Sequence, residues 1–237
     1  MYGMVIERMT QAGPLEWHTG VGWLVLAARV DWRTGESGDI DAAVLAWAKP
    51  NLPIAVLPTA GASIADGEQL LDYYSDMGGP EGYVVPVFDL AGAQDLENCQ
   101  LLAQAGLIYI LDGPDMMRLI HALRNSPALA AVLQAFEAGA CLVAVGRGAA
   151  ALSPWVPATD NHHSEPGLNL LHNMLVEPDF SGSDSANELQ TLLSKNNDCF
   201  GIGIPDGAAI ALGPGGEVKT IGERQITVVI SQTEDEL

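Results

Sequence analysis

The chain has 237 residues, of which 48% are hydrophobic and 17% charged, so it is long enough to bury a substantial core. Its 30 acidic residues outnumber 10 basic ones, and the net charge of −20 repels a phosphate backbone, which excludes nucleic acid as an expected partner. No apolar run reaches the roughly 18 residues of a membrane span, and residues 1–20 lack the basic start and apolar centre of a signal peptide.

Apolar runs alternate with helical patterns as far as residue 152. Strands are predicted over residues 23–28, 53–57, 83–87, 107–111 and 141–145. Helices are predicted over residues 40–48, 70–77, 93–105, 114–123 and 127–138. Asp66 and Gln69 have capping-box spacing ahead of the second helix, and Gly139 stops the last one. This alternation predicts a mostly parallel sheet covered on both faces, with ligands beyond the carboxyl ends of its strands.

The pattern changes after Leu152, where residues 153–167 form a polar, proline-containing loop and residues 169–180 contain an extended run. Ser185 and Glu188 have capping-box spacing ahead of a helix over residues 189–196. Strands over residues 199–204, 208–212 and 225–230 are joined by glycine turns, which indicates antiparallel pairs at the sheet edge. We therefore predict a three-layer α/β/α sandwich with a mostly parallel central sheet, of flavodoxin-like type. It would form one cytoplasmic domain over residues 1–237, with a flexible tail from about residue 232.

Six stretches occur in a characteristic order: GWLVLAA, PIAVLPTAGAS, LIYILDGPDMMRLIHAL, GACLVAVGRGAAAL, GLNLLHNMLVEPDF and CFGIGIPDGAAIAL. In this order, from about residue 22 to residue 229, they resemble the peptidase E and cyanophycinase family of serine peptidases. The resemblance implies the class I glutamine amidotransferase-like fold. It also implies an opening strand that ends in a glycine pair, a glycine turn with oxyanion donors, and a Gly-x-Ser-Ala-Gly-Ala nucleophile elbow.

The essential positions of that family differ in this chain. Aligned on the elbow, the family's serine falls at Gly146 and its catalytic histidine at Asp179. Glycine cannot form an acyl-enzyme, and a carboxylate with a pKa near 4 is a much weaker base than imidazole at neutral pH. The resemblance, read with these departures, implies a pseudoenzyme that has lost hydrolysis.

Two supporting positions differ as well. The glycine pair of the oxyanion loop reads Asp112-Gly113, and a carboxylate there would repel the negative charge that such a site must stabilise. The Asp-Glu pair of the last motif reads Pro205-Asp206.

The alternative is a hydrolase with a relocated nucleophile, for which four side chains are candidates: Ser63, Cys141, Ser153 and Cys199. Each has a plainer interpretation, because serine favours turns and helix boundaries and a free cysteine usually packs as a small apolar residue. The pair His162-His163 lacks partners at zinc-ligand spacing, and His121 and His172 are interpreted as packed or surface residues. The pair Met116-Met117 is interpreted as core filling. We expect neither a metal nor a cofactor.

Arg147 is the unusual residue of the elbow, because it follows Gly146 at the start of a helix in a chain with few basic residues. Free amides at a helix start and a guanidinium together suit a carboxylate or phosphate, so Arg147, Gly146 and Gly113 are the candidate ligand-binding residues. Alternatively, Arg147 pairs with an internal acid, Asp112 or Asp179. The expected partners are a small anion or a second copy of the chain in a homodimer, without nucleic acid or membrane. A third hypothesis is a purely structural protein without a ligand.

Overall fold

The structure is a computed structural model that describes residues 13–158 and 163–231. Within these ranges the helices are α1 Gly38–Trp47, α2 Ile64–Asp76, α3 Leu90–Gln94, α4 Leu96–Gln104, α5 Met116–Leu123, α6 Pro127–Glu137, α7 Arg147–Ala151 and α8 Gly182–Leu193, with a short 3-10 helix at Trp32–Thr34. The strands are β1 Leu24–Ala27, β2 Ile54–Leu57, β3 Gly82–Val84, β4 Leu107–Ile110, β5 Cys141–Val145, β6 Trp155–Pro157, β7 Ser164–Pro166, β8 Met174–Pro178, β9 Phe200–Ile204, β10 Ala209–Leu212, β11 Val218–Ile221 and β12 Thr227–Ile230.

The central sheet has seven strands in the spatial order β11-β10-β1-β5-β4-β2-β3. Strands β1 to β5 run parallel, and β10 and β11 extend one edge in antiparallel pairing. The four central parallel strands are buried along their whole length, as expected when helices cover both faces. One buried cluster packs α4, α5 and α6 against one face, and a second packs α1 and α2 against the other. The predicted three-layer fold class is confirmed.

The register of the parallel strands brings three loops to one edge of the sheet. Ala27 of β1 lies opposite Val145 of β5, and Ile110 of β4 lies opposite Ala144. Leu111 and Val145, the next residues along these two strands, are therefore neighbours. The segments that follow β1, β4 and β5 consequently leave the sheet side by side, and these segments form the site described below.

The prediction of antiparallel pairs at the sheet edge holds for part of the C-terminal strands. Of the three strands predicted there, only β10 joins the central sheet, where it pairs antiparallel with β1. Its other neighbour in the sheet, β11, was not predicted, because the side chains of β11 are mostly exposed. Strands β12, β9 and β8 form a separate sheet, with β8 parallel to β9. A third apolar cluster around Leu175, Leu189 and Leu193 packs α8 against this smaller sheet. The predicted loop over residues 153–167 contains the short hairpin of β6 and β7, and its middle lies outside the described residues.

Both predicted capping boxes were misplaced. Ser63, rather than Asp66, is the N-cap of α2, and its hydroxyl accepts the Asp66 N–H while the Asp66 carboxylate accepts the Ser63 N–H. Helix α8 begins at Gly182, so Ser185 and Glu188 lie inside it.

Two other predicted elements are shorter in the structure. The helix predicted over residues 93–105 is broken at Asp95, whose side chain caps α4 by accepting the N–H groups of Glu97 and Asn98. The strand predicted over residues 83–87 ends at Val84, two residues before Pro86, which has no N–H to donate to a neighbouring strand. Among the described residues, none belongs to a helix that is long and apolar enough to cross a membrane.

Candidate functional site

The turn between β5 and α7 retains the geometry of a nucleophile elbow, but the nucleophile position, Gly146, carries no side chain. Gly146 connects the two elements with φ 55° and ψ −126°, a conformation that side-chain-bearing residues adopt only under strain. Such a sharp strand-to-helix turn is what exposes the nucleophile in elbow-type hydrolases. A β-carbon added to Gly146 would collide with the carboxyl group of Asp112. The space for a nucleophile is therefore occupied by another side chain.

Asp112 follows Leu111 after the end of β4, and two polar contacts hold its carboxyl group in that space. Its Oδ1 accepts the backbone N–H of Arg147 at 2.9 Å, and its Oδ2 accepts from Nε of Arg29 at 3.2 Å. The first free amide of α7 is thus satisfied by a carboxylate of the protein itself. An external anion at this amide would have to displace Asp112.

Arg29, which follows β1 and Ala28, joins Asp112 to Asp179. Its backbone N–H donates to Oδ1 of Asp179 at 2.7 Å, and its Nη2 lies 3.4 Å from Oδ2 of the same carboxylate. We call Arg29, Asp112 and Asp179 the Arg29 cluster. The Asp179 charge, followed by Asp112, raises the pKa of the Arg29 guanidinium. Burial raises the pKa of Asp179, and the contacts with Arg29 oppose that rise.

The guanidinium of Arg147 pairs with neither of the acids that the sequence suggested. Its Nη1 donates to the backbone carbonyl of Pro114 at 2.7 Å, and only its backbone N–H reaches Asp112. Arg29 makes the ion pairs proposed for Arg147, and sequence reasoning missed it. The available signal was its position, since Arg29 directly follows Ala27-Ala28, where the resemblance expects a glycine pair at the end of the opening strand.

The remaining candidate positions lie around the same edge. Gly113 lines a cavity beside the cluster, and a β-carbon on it would collide with the backbone of Ala60, so two loops cross closely there. Asp206 is exposed in the turn after β9, and its charge raises the pKa values of Arg29 and Asp179.

The alternative nucleophiles have structural roles in the described part of the chain. The hydroxyl of Ser153 accepts the Val176 N–H at 3.0 Å in a buried position, and that of Ser63 is engaged by Asp66. Burial raises the pKa values of the Cys141 and Cys199 thiols, which opposes formation of a reactive thiolate.

The histidines and methionines that the sequence singled out, where the structure describes them, have surface or packing positions. His121 and His172 are exposed, and His162 lies outside the described residues. Met116 and Met117 pack against the core as interpreted from the sequence. The part of the chain that the structure describes contains no group of three or more acidic, histidine or cysteine side chains that could hold a metal ion.

Two cavities flank the Arg29 cluster. One, of about 430 Å³, lies between the loops that follow β1, β2 and β4 and is lined by Trp32 and Tyr109. The other, of about 340 Å³, is lined by Arg147, Glu177 and Glu188. Burial, then the charges of Glu188 and Asp179, raises the pKa of Glu177 to about 7.

The described residues form an α/β protein with a mostly parallel sheet. A glycine elbow follows its fifth strand, beside a glycine-containing loop after its fourth. The model of Peptidase family S51 matches residues 33–221, more than half of the chain, and the chain belongs to that family. Arg29 lies just before the matched segment.

Two curated relatives are cyanophycinases. The chain is 26% identical over 187 residues to the cyanophycinase of Synechococcus elongatus, and the match covers 74% of this chain and 58% of the relative. It is 23% identical over 190 residues to that of Geminocystis herdmanii, covering 76% and 70%. The chain thus spans little more than half the length of the Synechococcus protein.

Two solved structures share the fold. A peptidase from an acI-B1 Actinobacterium superposes with a TM-score of 0.75 at 22% identity, covering 92% of this chain and 97% of that one. A putative peptidase E protein from Listeria monocytogenes EGD-e superposes with a TM-score of 0.58 at 18% identity, covering 86% and 99%.

Proposed function

We propose that the chain is a non-catalytic cyanophycinase/peptidase E-like protein whose former catalytic edge serves binding, of a small anion or of a protein partner. The observation that carries the proposal is the Asp112 carboxyl group, which stands where a side chain on Gly146 would have to lie. Without that side chain no acyl-enzyme can form at the elbow.

The other parts of a hydrolytic mechanism are also replaced. Asp179, at the position the resemblance gives to the catalytic histidine, is held by the amide and guanidinium of Arg29. These contacts favour the deprotonated form and oppose the rise in the Asp179 pKa that burial causes, which limits this carboxylate as a general base. The Arg147 amide, which would face a developing oxyanion, already donates to Asp112.

Hydrolysis assays test the proposal. We expect the purified chain to leave cyanophycin and aspartyl peptides intact under conditions in which the Synechococcus cyanophycinase cleaves cyanophycin. Turnover by the unmodified chain that survives repurification and is blocked by a serine- or thiol-directed inhibitor would overturn it.

The alternative of a relocated nucleophile has a separate readout. Fluorophosphonate and iodoacetamide labelling, followed by peptide mass spectrometry, would mark an activated serine or cysteine. We expect no fluorophosphonate adduct on Ser63 or Ser153 and slow alkylation of Cys141, because these groups are capped or buried. A stoichiometric serine adduct would favour the alternative.

A further inference from the structure

The 430 Å³ cavity beside the Arg29 cluster combines charged and apolar walls. Six of the residues that line it carry the argument: Arg29, Trp32, Arg33, Tyr109, Leu111 and Asp112. It lies beyond the carboxyl ends of parallel strands, where α/β sheets bind their ligands. Its volume falls in the range of small-molecule sites.

The carboxylates of this cavity are already engaged by the protein. Asp31 accepts the N–H of Arg33, and Asp112 accepts from Arg147 and Arg29. Asp66 accepts from Ser63 and from Nη2 of Arg33, and these contacts lower the pKa of its carboxyl group. Two of the three carboxylates, Asp66 and Asp112, are therefore ion-paired with arginines, and Asp31 caps the 3-10 helix that follows it.

The donors, in contrast, retain unused capacity. The Tyr109 side chain is only 3% exposed, lines the cavity, and makes no hydrogen bond with any residue that the structure describes. Burial raises the pKa of Tyr109, so its hydroxyl is neutral and able to donate. Arg29 and Arg33 use Nε and Nη2 for protein contacts, and the Nη1 group of each has no partner among the described residues. The Tyr109 hydroxyl and the two Nη1 groups can therefore donate to a ligand in the cavity.

We propose that this cavity binds a small organic anion, a carboxylate or a phosphate ester, whose oxygens accept from Arg29, Arg33 and Tyr109. Its apolar body would lie against Trp32 and Leu111. A cation is not expected, because Asp66 and Asp112 are ion-paired with arginines and the groups that Arg29, Arg33 and Tyr109 present are donors. The inference rests on the proposed binding role and specifies which side of the former catalytic edge holds the ligand.

Titration calorimetry with the full chain tests this site. The probes are phenyl phosphate and benzoate, with inorganic phosphate for the head group alone and benzylamine as the matched cation. We expect saturable binding of phenyl phosphate or benzoate with a Kd of about 1 mM or tighter. Comparison of the two organic probes distinguishes a phosphate from a carboxylate ligand. No saturable binding of either, or tighter binding of benzylamine, would overturn the proposal.

Variants separate this cavity from the elbow. Arg33→Gln should weaken binding by about 10-fold or more, and the isosteric Tyr109→Phe by about 2- to 10-fold, because each loses one donor. Arg118→Gln removes the same charge outside this cavity, where the guanidinium donates to the Phe88 carbonyl, and should leave the Kd within about 2-fold. Equal affinity in wild type and Arg33→Gln, or a loss confined to Arg147→Gln, would place any ligand elsewhere.

The outcome is independent of the hydrolysis assays. Turnover together with variant-sensitive binding would overturn the proposed loss of catalysis and leave this site standing. Absence of both turnover and binding would overturn this site alone.

Discussion

The Asp112 carboxyl group occupies the position that a side chain on Gly146 would need. Its Oδ1 accepts the N–H of Arg147, which fixes the carboxyl group against the start of α7. The two positions therefore constrain each other, since a side chain fits at one of them but not at both. The resemblance to cyanophycinases places a glycine at position 112 and a serine at position 146. In this chain the side chain is at position 112 and the glycine at position 146.

Gly146→Ser should lower the free energy of unfolding by about 2–4 kcal/mol, through backbone strain at positive φ and overpacking against Asp112. Urea denaturation measures this change. Hydrolytic activity should stay absent, because the new hydroxyl would have no general base.

Two comparisons isolate the collision. Gly182→Ser, also at positive φ but with open space around it, should cost less than Gly146→Ser. The double variant Asp112→Gly/Gly146→Ser lacks the carboxyl group that collides with the new side chain. Its loss in free energy of unfolding should therefore be smaller than the sum of the losses of the two single variants. Strict additivity would show that Asp112 does not oppose a side chain at position 146.

The strands of the central sheet could be predicted because their apolar runs are continuous and bounded by turns. Strand β5, buried at every residue from Cys141 to Val145, was predicted with its observed bounds. Strand β11 could not be, because an exposed edge strand has no buried face to impose a pattern. The break at Asp95 and the true start of α8 depend on local capping that several polar residues could have supplied.

The edge of the sheet that carries the site was also predictable, but its contacts were not. The adjacency of the ends of β4 and β5 follows from parallel strand order. Which arginine pairs with Asp112 depends on how two loops separated by 83 positions face each other, and no sequence spacing encodes that. Arg147 was favoured by its helix start, whereas Arg29 makes the ion pairs.

Arg29→Gln should raise the pKa of Asp179, because it removes the guanidinium charge that opposes the effect of burial there, while the backbone N–H at position 29 can still donate to Asp179. The carboxyl titration can be followed by carbon-detected NMR. Arg118→Gln is the matched control, since that guanidinium donates to the Phe88 carbonyl and lies outside the cluster. An unchanged Asp179 pKa in Arg29→Gln would mean that the cluster does not persist in solution.

A buried carboxylate joins α1 to α2 on the face of the central sheet that these two helices cover. Asp41, 1% exposed, accepts from the hydroxyls of Tyr74 at 2.7 Å and Tyr73 at 3.0 Å. Tyr74→Phe should lower the free energy of unfolding by about 1.5–3 kcal/mol, because it removes a buried hydrogen bond to a charged group. Tyr73→Phe, at a partly exposed ring, should cost less. As a control, Tyr83→Phe removes a bond to the neutral Leu101 carbonyl and should cost about 1 kcal/mol. Equal losses for Tyr74→Phe and Tyr83→Phe would show that the bond to Asp41 is no stronger than the bond to a neutral carbonyl.

The stability of the fold should decrease as the pH rises through neutrality, and Glu177 should cause part of that decrease. Burial, then the charges of Glu188 and Asp179, raises its pKa from 4.5 to about 7. Between these two values the folded state binds more protons than the unfolded state, so the free energy of unfolding falls as the pH rises. Below the unfolded pKa the two states are equally protonated, and above about pH 7 the full cost of the buried charge is present.

Glu177→Gln removes this ionisation while preserving the shape of the side chain, so the comparison with wild type isolates its contribution. Relative to Glu177→Gln, the wild-type free energy of unfolding should fall by about 2 kcal/mol between roughly pH 4.5 and pH 8. Urea denaturation across that range measures the difference. Glu188→Gln should shift the fall to lower pH, because it removes a neighbouring negative charge that raises the Glu177 pKa. Parallel pH profiles for wild type and Glu177→Gln would show that the carboxyl group titrates normally and that the second cavity is more hydrated than its geometry indicates.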